Sequence, residues 1–139
     1  MKFTTFSLAA LALAAIAAPA AAAPQPVTGR WLDQSKGGVI QIAPCGRALC
    51  GRLVQVLEKG RAGAKDQNNP NPALRNRPVQ GITLLSNFVA DGDSWRGQIY
   101  DPRKGKTYKS FVKLNPNGTL SVKGCLGPFC QTQTWTRAR

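Results

Sequence analysis

The chain contains no histidine, its single methionine is Met1, and six carboxylates stand against 19 lysines and arginines. Without histidine there is no Ser-His-Asp triad, no Cys-His nucleophile pair and no His-ligated zinc. Six acids leave little for a carboxylate metal site, so neither a metal nor a cofactor is expected. Amphipathic helices of useful length are absent as well. Beyond residue 23 no apolar run approaches the roughly 20 residues that a spanning helix needs.

The first 23 residues read as an address. Lys2 supplies a positive start, Leu8–Ala18 is apolar, and Ala20–Ala23 offers small-residue cleavage sites. This is the pattern of a secretory signal peptide. The expected organisation is a leader over residues 1–23 and one domain over residues 24–139, exported to the periplasm or the medium. The formal net charge is +13, and almost all of it remains without Lys2. Such a chain is drawn to anionic surfaces, an envelope surface among them. The basic residues are scattered, which fits a solvated surface, and export disfavours nucleic acid as a partner.

Four cysteines, Cys45, Cys50, Cys125 and Cys130, form two C-x4-C pairs. An even number in a small exported domain indicates a disulfide framework, although four cysteines allow three connectivities. The local context favours Cys45–Cys50 and Cys125–Cys130. Each pair lies between two strand-like runs, where a four-residue loop would bring the two cysteines opposite one another. Redox catalysis and a four-cysteine zinc site are the alternatives; neither the spacing nor the oxidising compartment suits them.

The remainder reads as strand after strand. Trp31 and Leu32 lie in a first short strand, followed by Val39–Ile42, about Leu49–Leu57, Ile82–Val89, Trp95–Tyr100, Lys106–Leu114, Thr119–Gly124 and Gln131–Arg137. Asp91-Gly92-Asp93, Asp101-Pro102 and Asn115-Pro116-Asn117-Gly118 are hairpin turns by their chemistry. Only Lys59–Gln80, with its Asn-Pro steps and glycines, is a long irregular segment. Eight short strands joined mainly by tight turns suggest an all-β, eight-stranded antiparallel up-and-down barrel, closure removing the exposed edges. A two-sheet sandwich is the alternative.

Gly29-Arg30-Trp31 opens the first strand, and Trp135-Thr136-Arg137 closes the last. In a closed barrel these strands are neighbours, so the arginine can lie over the indole of Trp31 as a cation–π pair. Trp31, Trp135 and Arg137 are therefore assigned structural roles. The pattern resembles the Gly-x-Trp and terminal arginine of the lipocalin and calycin superfamily. A wider set of islands covers nearly the whole chain beyond the leader. These are Gly29-Arg30-Trp31, Ile42–Gly46 through Leu49-Cys50-Gly51, Asp66 with Asn69-Pro70, Arg77-Pro78 and Gly81, Gly97–Pro102, Gly105–Tyr108, Gly124–Gly127 and Gln133–Arg137. On these the chain is similar to the bacterial exported family known as domain of unknown function 2147. The resemblance implies a lipocalin-like barrel and export, and it carries no catalytic residue across.

The candidate site is the Tyr100–Tyr108 hairpin with the long loop. Trp95, Tyr100 and Tyr108 offer apolar contact, Lys106 offers a cation for an anionic group, and Asp101 lies between them. Asp66 and Asn69, with Asn68, can approach as a lid, since long loops in compact domains often carry function. The leading expectation is a non-enzymatic protein binding a small, partly apolar or anionic molecule at the barrel mouth. Two alternatives remain open: a plugged barrel acting through its outer surface in the envelope, and a hydrolase using Asp66 and Asp101 as acid and base.

Overall fold

A computed structural model describes residues 10–17 and 23–139. Eight strands follow one another: β1 (Gly29–Leu32), β2 (Gly38–Cys45), β3 (Ala48–Val56), β4 (Thr83–Asp91), β5 (Ser94–Asp101), β6 (Lys106–Leu114), β7 (Leu120–Leu126) and β8 (Phe129–Arg137). Each pairs antiparallel with the next, and β8 returns to β1 to close a barrel. The closing seam is short, Trp31 facing Arg137 and Leu32 facing Thr136. Above it the Gln34 side chain accepts from the Thr134 N–H at 2.8 Å, satisfying a donor that lies beyond the reach of β1.

The cysteine hairpins are tighter than the sequence suggests. The strands run on through the cysteines, leaving two-residue turns at Gly46-Arg47 and Gly127-Pro128. Both disulfides join the expected partners. Cys125 does stand opposite Cys130. Cys45 instead faces Ala48 while Cys50 faces Ala43, so that bridge runs diagonally between the strands. The loop of four residues expected there is a two-residue turn because Gly46, at φ 66°, accepts the positive φ such turns require.

One end of the barrel is packed. Trp31 is fully buried, its Nε1 donating to the Val27 carbonyl at 2.9 Å. The Arg137 guanidinium lies 3.9 Å from the Trp31 ring centroid and donates to the Thr28 carbonyl at 2.8 Å. Gly29 sits beneath it at φ 124°, where a Cβ would collide with the guanidinium. The same end holds Ile42, Leu49, Leu85, Phe88 and Val112 around a residual void of about 10 Å³, room for no more than one water. Each such buried side chain contributes about 1.5–3 kcal/mol.

The leader expected over residues 1–23 lies largely outside the described residues. Within residues 10–17 there is no regular secondary structure, and Leu11, Leu13 and Ile16 are exposed. Among the described residues no helix is long and apolar enough to cross a membrane.

Candidate ligand cavity and its lid

The far end of the barrel is hollow, for a reason visible in strand register. Gly97 of β5 faces Ser110 of β6, and Ser110 faces Gly124 of β7, so three small residues lie side by side on the inner wall. The Phe88 ring fills the space at Gly97, where a Cβ would come within 2.6 Å of it. At Gly124 the space stays open: a Cβ would meet only Ile99 at 3.5 Å and Tyr108 at 3.9 Å. From this level to the mouth the wall encloses a cavity of about 1000 Å³, at the upper end of the volumes typical of small-molecule sites. Ile40, Leu53, Ile99 and Val122 supply apolar lining, and Tyr108, Gln131 and Gln133 supply polar groups. Trp135 lies deeper, its Nε1 donating to Gln133 Oε1 at 2.8 Å.

Four connections frame the mouth: the β1–β2 turn, the long β3–β4 segment, the β5–β6 turn and the β7–β8 turn. The β3–β4 segment is held by a fully buried carboxylate, Asp66. One oxygen of Asp66 accepts from Tyr100 Oη at 2.6 Å. The other accepts from Asn69 Nδ2 at 2.8 Å and from Arg77 Nε and Nη2 at 2.9 and 2.8 Å. Burial by itself raises the pKa of Asp66, but the hydrogen bonds from Tyr100, Asn69 and Arg77 outweigh it and hold the carboxyl below its ordinary value. Burial and the adjacent carboxylate push the Tyr100 phenol up to about 12. A second set of contacts ties the segment to the β5–β6 turn. Arg103 pairs with Glu58, and Asn68 Nδ2 donates to the Arg103 carbonyl at 2.8 Å. Gly105, at φ 64°, passes so close to the Asn68 carbonyl that a Cβ would overlap it.

The residues singled out from sequence divide into three places. Tyr108 faces the cavity opposite Ile99, and Asp101 and Tyr100 border its rim. Tyr100 and Tyr108 do not form one aromatic surface. Ile99 is the partner of Tyr108, so Tyr100, one residue on, turns to the other face and reaches Asp66. Asp66 and Asn69 lie inside the segment as its internal brace, with no face toward solvent. The hydrolase alternative needs Asp66 to meet a substrate, whereas both of its oxygens are engaged within the segment. Lys106 is exposed at the rim. Trp95 is corrected in position. It opens β5 at the packed end, its Nε1 donating to the Gln25 carbonyl at 3.0 Å, roughly 20 Å along the strand from Asp101.

Arg77, Gln131 and Gln133 were not among the candidate site residues. The glutamines could have been found from the alternation Phe129, Gln131, Gln133, Trp135, which puts them on the face of a buried tryptophan. Arg77 carries no periodic signal, because its partner lies eleven residues away in an aperiodic segment; only the shared island pattern of Asp66 and Arg77-Pro78 pointed to it. Among the described residues no group of three or more His, Cys, Asp or Glu could hold a metal ion.

Residues 29–137 match the family described as "uncharacterized protein conserved in bacteria (DUF2147)". The chain belongs to this family. The matched range begins at Gly29 and ends at Arg137, the two residues that meet over the closed end, so the DUF2147 unit is the barrel itself. Among solved structures the chain is similar to a protein described as "Protein HP1028 from the human pathogen Helicobacter pylori belongs to the lipocalin family". The two share 28% identity over 82% of this chain and 84% of that one, with a TM-score of 0.72. No curated protein matches the chain closely enough to count. This DUF2147 member thus has a lipocalin-like fold, with the packed end at Gly29–Trp31 and the cavity at the other.

Proposed function

We propose that this DUF2147-family protein is an exported, non-enzymatic carrier that holds a small, partly apolar molecule in the open half of its barrel. The observation that carries the proposal is the cavity of about 1000 Å³, with its mixed wall of aliphatic residues, Tyr108, Gln131 and Gln133. An apolar body would be buried against Ile40, Leu53, Ile99 and Val122, and a polar or anionic head would lie near Gln131 or at the rim beside Lys104 and Lys106. The carboxylates nearest the mouth are engaged. Asp33 accepts from the Gly37 and Gly38 N–H groups, Asp101 accepts from the Arg103 N–H, and Glu58 pairs with Arg103 and Arg61. Binding suits such a site better than acid–base chemistry. Two disulfides and the leader-like first 23 residues support export.

The test is native mass spectrometry on protein purified gently from its own cell envelope, with a denatured control. A discrete extra mass that disappears on denaturation is expected. Gly124→Phe, which projects a ring into the cavity from a position whose Cβ is tolerated, should abolish that mass while the circular dichroism spectrum stays the same. A bare protein in repeated preparations, or an extra mass that survives in a well-folded Gly124→Phe variant, would overturn the proposal.

A further inference from the structure

Two apolar side chains at the mouth of the cavity reach out into solvent. Leu126 and Phe129 flank the β7–β8 turn and are 60% and 80% exposed, the largest exposures of any large apolar side chain in the barrel. They are not on a loose loop. The Cys125–Cys130 disulfide clasps the strands immediately behind them, with Leu126 facing Phe129 across the turn. The register of β6 and β7, with Lys109 opposite Cys125, brings the β5–β6 turn alongside. That turn exposes Arg103, Lys104 and Lys106, and the neighbouring β1–β2 turn exposes Lys36.

Cations outnumber acids around the mouth: Lys36, Lys59, Arg61, Arg103, Lys104 and Lys106 are exposed there. Asp33, Glu58 and Asp101 are engaged by their own loops and by Arg103, and Asp66 is buried. The β7–β8 turn has no acid. At the packed end Asp91 and Asp93 are paired with Arg96 and Lys113. A rigid apolar tip ringed by lysines and arginine is the pattern of a surface that enters the headgroup region of a bilayer, apolar groups inserted and cations on anionic lipid. Because the tip is already fixed by its disulfide, insertion costs little conformational entropy. A second copy of the chain is a poor occupant, since both surfaces would present the same positive charge.

We propose that the mouth of the barrel docks on anionic lipid bilayers through Leu126 and Phe129, steadied by Lys104 and Lys106. The docking shares Lys104 and the apolar rim with the carrier site, and it is told apart from ligand binding by Gly124→Phe, which should empty the cavity and leave vesicle binding unchanged. It also orients the molecule, turning the cavity opening toward the membrane.

The experiment is co-sedimentation of the full disulfide-bonded protein with vesicles of phosphatidylcholine alone or mixed with phosphatidylglycerol. Binding to the mixed vesicles, weakened by salt, is expected. Leu126→Ser/Phe129→Ser should weaken it at least about tenfold, and Lys104→Glu/Lys106→Glu about 30-fold or more. Lys109→Glu/Lys123→Glu, the same charge change on the outer wall of β6 and β7, should have a clearly smaller effect. All these positions are exposed, and circular dichroism with a free-thiol assay confirms the fold. Phe129→Trp should shift its emission to the blue on the anionic vesicles and be quenched by lipids brominated in the acyl chain. No binding to anionic vesicles, equal binding by the serine variant, or an equal loss in the wall variant would each overturn the proposal. So would a dimer in sedimentation velocity that the serine substitutions dissolve, which would make a second copy the occupant.

Discussion

Replacing Asp66 by asparagine tests whether the lid is braced as its geometry implies. The substitution preserves volume and removes one charge. Four contacts within 2.9 Å converge on the carboxylate, from Tyr100, Asn69 and two nitrogens of Arg77. Hydrogen bonds to a charged group contribute about 1.5–3 kcal/mol each, so a simple sum would exceed the loss that breaking a buried ion pair produces, about 3–5 kcal/mol. The smaller figure still needs reducing. The Arg77 side chain is 37% exposed and can regain water, and asparagine keeps one acceptor for the Tyr100 hydroxyl. The expected loss is therefore about 2–3 kcal/mol. Out of a total of about 5–15 kcal/mol for a domain this size, that is readily measured by urea unfolding followed through tryptophan fluorescence. Part of the loss should be local. Trypsin should cut earlier at Lys65 or Arg75 in the variant, because the segment opens before the barrel does. A double-mutant cycle with Tyr100→Phe should give a coupling of about 1 kcal/mol or more. A loss below about 0.5 kcal/mol with an unchanged tryptic pattern would refute the argument that Asp66 braces the segment.

The same pair sets limits on pH. The Asp66 pKa is lowered on folding, so its stabilisation is present above the unfolded carboxylate value near 4 and is lost as pH falls below it. The Tyr100 phenol is raised from 10 to about 12, so its contribution is present below pH 10 and declines between 10 and 12 at up to about 1.4 kcal/mol per pH unit; Tyr100→Phe should flatten that decline in urea titrations. Arg137→Ala should lower thermal stability by the equivalent of about 1–2 kcal/mol through loss of the contact over Trp31, with Arg137→Lys intermediate; equal melting temperatures for all three proteins would remove the stacking argument. Ser110 is 0% exposed, and its hydroxyl has no hydrogen-bond partner among the described residues, so Ser110→Ala should leave stability unchanged or raise it by up to about 1 kcal/mol. A loss greater than that by calorimetry would mean that the hydroxyl is satisfied.

The strands and their order were legible because the turns announce themselves. Asp91-Gly92 and Asn117-Gly118 require positive φ, and both glycines adopt it. Trp31 and Arg137 mark the two ends of the fold because the first and last strands of a closed barrel must be neighbours. The candidate site was less legible, since closeness in sequence around a hairpin is not closeness in space. Trp95 and Tyr100 share a strand yet lie near opposite ends of it. Tyr100 and Tyr108 share a hairpin yet point to opposite faces, a result that follows from the pairing of Asp101 with Lys106 once that register is known. The Asp66–Arg77 pair has no periodicity behind it and needed the folded segment.

The hollow half of the barrel shows most clearly what register adds to composition. Gly97, Ser110 and Gly124 are unremarkable singly, as two strand glycines and a serine. Their alignment across β5, β6 and β7 thins the inner wall at one level, and the two glycines then meet different fates. Phe88 takes the room beside Gly97 and helps pack the end that Trp31 and Arg137 close. Nothing takes the room beside Gly124, and the adjoining β8 contributes Gln131 at the same level and Gln133 one step deeper rather than large apolar side chains. A barrel of this size is filled by its own side chains unless some are withheld. Here they are withheld on one side and toward one end, so stability and vacancy are segregated along the barrel axis. Substitutions that enlarge Gly124 should therefore act on occupancy with little effect on folding, whereas those at Gly97 should act on folding first.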